Sequence, residues 1–222
     1  MKKYALIVAG GKGLRMGAEI PKQFLLLHGK PVLMHTIEAF ATITDIRIVL
    51  VLPQSQMSYW QELNKEYSFS IPHTLVAGGD TRFQSVKNGL SAISDGMVAI
   101  HDGVRPIVSQ ELLANAYETC EQKGNAVLAV RLKDSIREVD LLGNKNVNRN
   151  NYYLIQTPQV FHSSEIIAAY QQAEHDNFTD DASVLESAGA KIHLVEGTYR
   201  NIKITTPEDL AMVEVLLKMK SN

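Results

Sequence analysis

The 222-residue chain has one cysteine, one tryptophan and no uninterrupted apolar run of membrane-spanning length. With a single thiol, Cys120, no intrachain disulfide can form, and no Cys/His spacing suggests zinc. Cys120 falls inside an apolar-periodic stretch and reads as a buried structural thiol. Basic runs are also missing. The 22 Lys and Arg are interspersed with 24 Asp and Glu for a net charge of −2, so no face is marked for nucleic acid. Lys218-Met219-Lys220 reads as a solvated helix end that suits the helix dipole. The first residues, Met1-Lys2-Lys3-Tyr4, pass directly into a strand pattern with no leader-type apolar region. The expectation is a soluble cytoplasmic protein without a membrane partner.

Two familiar phosphate-binding signatures are absent as well. Gly11-Lys12 is followed by Gly13 and not by Ser or Thr, which excludes the Walker loop. The dinucleotide fingerprint would need glycine where Met16 stands, and Gly17 is one residue late. What is present is Leu6-Ile7-Val8-Ala9-Gly10-Gly11-Lys12-Gly13-Leu14-Arg15-Met16-Gly17, closed by Pro21-Lys22-Gln23. A buried strand runs into a glycine-rich loop that can turn its N–H groups toward an anion, and Arg15 and Lys22 place positive charge over it. An ordinary glycine-rich turn is the plainer alternative for this stretch taken alone.

Apolar runs alternate with helical patterns along the chain, without internal repeats. This predicts an α/β fold, Rossmann-like, with a mostly parallel sheet flanked by helices and one domain over residues 1–222. Strands are expected at 4–8, 46–52, 74–77, 97–100, 126–130 and 192–195. Helices are expected at 31–40, 54–67, 82–93 (capped by Asp80 or Thr81), from Ser109 to about Lys123, near 165–174, at 180–188, and after Thr206-Pro207. Residues 131–149 break the rhythm, with weak alternation over 135–139 and a turn at Leu142-Gly143-Asn144. A polar hairpin of this kind either moves in solvent or packs on another chain. We expect a projecting β-arm over 131–150 that makes a homodimer.

Ligands of open parallel sheets sit beyond the carboxyl ends of the strands. Four segments are placed there: the first loop, residues 78–85, residues 101–105, and Thr157-Pro158-Gln159 after the run 152–156. A fifth, Asn201-Ile202-Lys203, precedes the last helix. Together they provide the cations Arg15, Lys22, Arg105 and Lys203 with Asp102 as the well-placed carboxylate. This inventory suits phosphoryl chemistry, with a Mg²⁺ or another divalent cation held mainly through substrate phosphates. No Ser-His-Asp or Cys-His set is evident. His101 is read as a strand-end histidine bonded locally, with a role as a base the alternative. A phosphate nucleophile is ionised near neutral pH and needs no base.

The first loop with Pro21-Lys22-Gln23-Phe24 resembles sugar-nucleotide transferases of the cytidylyltransferase branch. Further motifs follow in order: Ala77-Gly78-Gly79-Asp80-x-Arg82-x-x-Ser85-Val86, His101-Asp102-Gly103-x-Arg105-Pro106, Gln156-Thr157-Pro158-Gln159, Thr179-Asp180-Asp181-Ala182-Ser183 and Asn201-Ile202-Lys203-x-Thr205. Over nearly the whole chain they are similar to the 2-C-methyl-D-erythritol 4-phosphate cytidylyltransferase family of the non-mevalonate isoprenoid route. The resemblance implies CTP and methylerythritol phosphate as substrates and a homodimer as the working unit. It implies that Arg15 and Lys22 neutralise the triphosphate, within a CTP loop that includes Gly13. It implies that the backbone of Ala9, Gly10 and Gly11, the Gly79-Asp80 turn and the Ser85 hydroxyl read cytosine. Asp102 would sit by the Mg²⁺ and the substrate diol, and Arg105, Thr157, Thr179 and Lys203 would line the acceptor site. Arg149, with Ser135 alongside, would reach the substrate phosphate from the partner subunit. Arg15, Lys22, Arg149 and Lys203 are thus the implied catalytic cations. Two positions depart from the family pattern: Val104 replaces the usual alanine, and Arg200 stands where some members carry an aspartate near the metal. Ribitol 5-phosphate cytidylyltransferase, with the same chemistry and a longer acceptor, is the nearest alternative, and a nucleotide-binding module without turnover is a second.

Overall fold

The computed structural model describes residues 1–10, 20–173 and 175–219. Its frame is one seven-stranded sheet. In chain order the elements are β1 (Lys3–Val8), β2 (Leu26–Leu27), β3 (Lys30–Pro31), α1 (Val32–Ala41), β4 (Ile46–Leu52), α2 (Met57–Glu66), β5 (His73–Ala77), α3 (Arg82–Leu90) and β6 (Met97–Asp102). There follow α4 (Gln110–Lys123), β7 (Asn125–Arg131), β8 (Ile136–Asp140), β9 (Gly143–Val147), β10 (Tyr153–His162), α5 (Ser163–Gln172), α6 (Asp181–Ser187), β11 (Leu194–Glu196) and α7 (Pro207–Lys218). The sheet order is β11-β7-β10-β6-β1-β4-β5. The pairs β1/β4, β1/β6, β4/β5 and β7/β11 are parallel, and β10 runs antiparallel to both of its neighbours. The mostly parallel α/β class read from the sequence is the observed one.

The central strands are apolar over most of their length because both faces are covered. Alternate side chains of β1 divide between two cores, as the two-residue period of a strand requires. Ala5 and Ile7 join Leu33, Phe40, Trp60 and Tyr117 on one face, while Tyr4, Leu6 and Val8 join Val86, Phe161 and Tyr170 on the other. A third, smaller cluster of Leu27, Val32, Val104, Ile107, Ile204 and Val213 lies under the chain that leads into α7. It fixes the segment that carries Lys203, and Ile204 N donates to Val104 O at 3.0 Å.

Helix starts follow local chemistry. Thr81, and not Asp80, caps α3 by accepting from Gln84 N at 3.1 Å. Ser109 and Asp180 cap α4 and α6 in the same way. Two local features differ from the sequence reading. The expected strand 152–156 and the loop after it are one strand, β10, whose register slips between Ile155 and Gln159. Thr157 therefore reaches the ligand end of the sheet because β10 enters from that end, and not because a strand terminates there. The small hairpin β2–β3 was not anticipated. Its turn residues His28 and Gly29 have φ of 50° and 77°, the left-handed conformation that a two-residue hairpin loop demands.

The expected polar hairpin is present as β8 and β9, paired Asp140 to Gly143 around Leu141-Leu142. Both leucines are fully exposed.

The start of α7 is a capping box. Asp209 Oδ2 accepts from Thr205 N, Thr205 Oγ1 and Thr206 N at 2.7–2.8 Å, and Thr206 Oγ1 accepts from Asp209 N at 3.3 Å. Partial burial would raise the Asp209 carboxyl, but these hydrogen bonds outweigh it and hold the group below its ordinary value. Asp209→Ala should cost about 1 kcal/mol in urea unfolding at neutral pH. Because the folded value is depressed, that contribution is complete above the ordinary carboxylate range and fades as pH falls through the folded value. The gap between wild type and variant should therefore narrow in acid.

Candidate active site

The carboxyl ends of β1, β4 and β6 open on one side of the sheet. Ala9 extends β1, with its N–H on Val51 O at 3.0 Å. Its carbonyl accepts from the buried Gln23 side chain at 3.0 Å, which pins the Lys22–Phe24 turn beside the strand end. Lys22 Nζ then reaches Ile204 O at 3.1 Å and bridges the first segment to the chain before α7. Gly10 is exposed beside Ser85. Gly11, Gly13 and Arg15 lie outside the described residues.

After β5 the chain turns tightly through Gly78, Gly79 and Asp80. A Cβ on Gly79 would stand 2.5 Å from Gln84 Cβ, so the approach requires glycine. Gly79 N donates to Ser85 Oγ at 3.1 Å, and Asp80 N to Gln84 Oε1 at 3.0 Å. The Ser85 hydroxyl thus closes its own turn.

The centre of the site is the end of β6. Asp102 N donates to Thr157 Oγ1 at 3.1 Å, which ties β6 to the slipped register of β10. Three cations surround the Asp102 carboxylate. Lys203 Nζ and Arg105 Nε stand 3.0 and 3.4 Å from Oδ2, and Arg82 Nε stands 3.7 Å from Oδ1. Burial opposes ionisation here, yet Lys203, Arg82 and Arg105 overcome it and hold the Asp102 carboxyl well below the usual range. Arg105 is fixed by Nη1 donating to Asn201 O at 2.7 Å, and its own carbonyl accepts from His101 Nε2 at 3.0 Å. Burial pushes His101 down to about 4, which leaves the ring neutral at physiological pH. This matches the locally bonded histidine read from the sequence.

Arg82, Asp102, Arg105, Thr157, Thr179 and Lys203 line one cleft of about 370 Å³. Asp180 lines it too, and accepts from Gln159 Nε2 at 2.9 Å while capping α6. Asp102 is therefore joined by a second carboxylate that the sequence reading did not single out. Ser135 and Arg149 are exposed on the hairpin and its base, where Arg149 Nη1 donates to Lys133 O, and neither lines this cleft. Arg200 points away, with Nη2 on Leu216 O at 2.9 Å.

Among the described residues no group of three His, Cys, Asp or Glu gathers to hold a metal. The Asp102 carboxylate already faces three cations. It does not suit a cage made by the protein alone.

Arg82, Asp181 and Asn201 fall within the sequence motifs, yet the sequence alone attaches no role to them. Asn201 Nδ2 donates to Thr157 O at 2.8 Å, so it joins the slipped strand to the Lys203 segment.

A family model described as 2-C-methyl-D-erythritol 4-phosphate cytidylyltransferase matches residues 4–219. A curated protein of that name from Phocaeicola vulgatus is 50% identical over 219 residues, covering 98% of this chain and 100% of its own length. Its counterpart from Azobacteroides pseudotrichonymphae is 52% identical over 221 residues, with 97% and 99% covered. Among solved structures, the 4-diphosphocytidyl-2C-methyl-D-erythritol synthase of Anaerococcus prevotii superposes with a TM-score of 0.84 at 30% identity, over 97% of this chain and 96% of that one. The Francisella tularensis 2-C-methyl-D-erythritol 4-phosphate cytidylyltransferase gives 0.81 at 31% identity, over 97% and 99%. Matched over residues 4–219 by the family model and about half identical to its curated members, the chain belongs to the 2-C-methyl-D-erythritol 4-phosphate cytidylyltransferase family.

Proposed function

We propose that the cleft around Asp102 is where this chain carries out its family's reaction. CMP passes from CTP to 2-C-methyl-D-erythritol 4-phosphate, giving 4-diphosphocytidyl-2-C-methyl-D-erythritol and pyrophosphate for isoprenoid precursor synthesis. The observation that carries the assignment of the site is the convergence of Lys203, Arg105 and Arg82 on one ionised carboxylate, with Lys22 anchored to the same segment as Lys203.

The acceptor phosphate attacks the α-phosphorus of CTP in line, one P–O bond forms, and the bond to pyrophosphate breaks. Both reactants are anions, so the protein's task is to hold them together and to receive the charge that builds up in the transition state. Lys22 and Arg15 take the triphosphate. Ala9, Gly10, Gly11 and Gly13, together with the Gly79-Asp80 turn and Ser85, form the cytidine side. Lys203, Arg105, Thr157 and Thr179 take the acceptor, whose diol faces Asp102. Mg²⁺, held by the CTP phosphates with Asp102 at its edge, would supply further neutralisation of the triphosphate.

The working unit we propose is a cytoplasmic homodimer joined through the arm over residues 131–150. Three features support it. Leu141 and Leu142 are bare at the hairpin tip, Tyr152, Tyr153 and Leu154 are exposed together at its base, and Arg149 does not reach its own cleft. A partner would cover the apolar residues and receive Arg149 and Ser135 beside its substrate. The single thiol, Cys120, is buried and pushed up to about 12, chiefly by that burial, so it is inert in a reducing compartment. Among the described residues no helix is long and apolar enough to cross a membrane.

Pyrophosphate release from CTP and Mg²⁺ should occur with methylerythritol phosphate and not with ribitol 5-phosphate. Preference for the ribitol compound would overturn the acceptor assignment, and release with neither would overturn the enzymatic one. Lys22→Ala should lower kcat by about a hundredfold, roughly 3 kcal/mol, with a much smaller change in KM. An unchanged kcat would remove Lys22 from the transition state. Sedimentation should show a dimer, and mixing Lys22→Ala with Arg149→Ala should restore activity. Each mixed dimer then holds one site with both native cations, so random exchange returns about a quarter of the wild-type rate. No recovery in mixed dimers would place Arg149 in its own subunit's site or outside the reaction.

A further inference from the structure

Arg82 lies in the cleft, yet the reaction above gives it no task. It opens α3 behind the Thr81 cap, and its guanidinium is gripped by a carboxylate that solvent does not reach. Nη1 and Nη2 donate to Asp181 Oδ1 and Oδ2 at 2.9 and 2.6 Å. Asp181 Oδ1 also accepts from the Tyr170 hydroxyl at 2.6 Å. Both terminal nitrogens and both oxygens are used, so the fork is locked in one orientation. The remaining nitrogen, Nε, faces Asp102 Oδ1.

The other two cations on Asp102 are held differently. Both approach Oδ2, leaving Oδ1 to Arg82. Arg105 is tied to the Asn201 carbonyl. The Lys203 side chain is the most exposed of the three, at 42% against 29% for Arg82 and 11% for Arg105. A lysine ammonium on a flexible stem can leave one anion for another, whereas a guanidinium locked at two nitrogens cannot. When a phosphate draws Lys203 away, Asp102 loses its nearest cation, and Arg82, held at both terminal nitrogens, is the one that cannot follow.

We propose that Arg82 is a positioning residue for the transfer: clamped by Asp181, it is the fixed counter-ion that holds Asp102 in place while Lys203 turns to the substrate phosphate. The role of Lys203 rests on the functional reading above; the clamp itself does not. Asp181 opens α6 and Tyr170 belongs to α5, so the clamp also ties α3 to both helices behind the cleft. Lysine cannot replace this arginine, because one ammonium cannot satisfy both Asp181 oxygens and still face Asp102.

The test uses Arg82→Ala, Arg82→Lys and the double variant Arg82→Ala/Asp181→Ala. The single alanine variant strands a buried carboxylate and should melt lower; the double variant removes both charges and keeps a folded protein for comparison. In the folded variants kcat should fall roughly tenfold or more, with KM for CTP within about threefold. Arg82→Lys should not restore the rate. Guanidinium ion at millimolar concentration should partly restore kcat in Arg82→Ala and leave Lys22→Ala unaffected. A folded double variant with near wild-type kcat, or a folded Arg82→Ala that guanidinium does not rescue, would overturn the proposal. The crystal structure of the double variant soaked with inorganic phosphate, which draws Lys203 away, provides a readout free of activity. Asp102 should have left its position between Lys203 and Arg105, and an unmoved Asp102 would also overturn the proposal. Failure of the wild type to use methylerythritol phosphate counts instead against the functional reading, and the crystal structure then decides the clamp alone.

Discussion

One ionised carboxylate among three cations organises the ligand end of this protein. Asp102 stands at the end of a central strand where burial alone would favour the neutral acid, and Lys203, Arg82 and Arg105 reverse that preference. Those cations come from three separated parts of the chain: the start of α3, the loop after β6 and the segment before α7. Each would repel the others without the carboxylate. With it they share one cleft.

The fold supplies this arrangement by two kinds of support. A parallel sheet buried on both faces fixes where β1 and β6 end, and the carbonyl and N–H at those ends recruit Gln23 and Thr157. Smaller hydrophobic packing then fixes the segments that have no strand. Ile204 is buried against Val104, so Lys203 beside it enters the cleft at a set height. Close approach matters as much as polar contact. A Cβ on Gly103 would lie 2.8 Å from Ala9 Cβ and 3.0 Å from Leu33 Cδ1, so the chain after Asp102 can pass beside Ala9 only as glycine.

Much of this was legible from residue order because the signals are local. The continuous apolar run from Tyr4 to Val8 gave β1, the Ser109 and Thr206 caps gave helix starts, and the polar alternation after Arg131 gave the hairpin. Their positions at segment ends place Asp102, Arg105 and Lys203 near one another from the sequence alone. What escaped depends on pairings that sequence spacing does not encode. Arg82 and Asp181 meet across 99 positions, and a buried carboxylate looks like any surface aspartate in the sequence. Thr157 was placed at the correct end of the sheet for the wrong reason, since an apolar run does not show the direction in which its strand runs. The His28-Gly29 turn could have been read from its glycine and the flanking leucines, but the strands are two residues each, too short for periodicity. Arg15 and the glycines beside it, which organised the reading of the sequence, lie outside the described residues.

The claim at the centre is that the charge of Asp102, and not its shape, holds the site together. Asp102→Asn keeps the shape and removes the charge, so its crystal structure and turnover measure that claim directly. The cation cluster should disperse, with Lys203 and Arg82 withdrawn from residue 102, and turnover should fall at least roughly tenfold while the melting profile stays cooperative. An asparagine variant that keeps all three cations in place and turns over at the wild-type rate would contradict it.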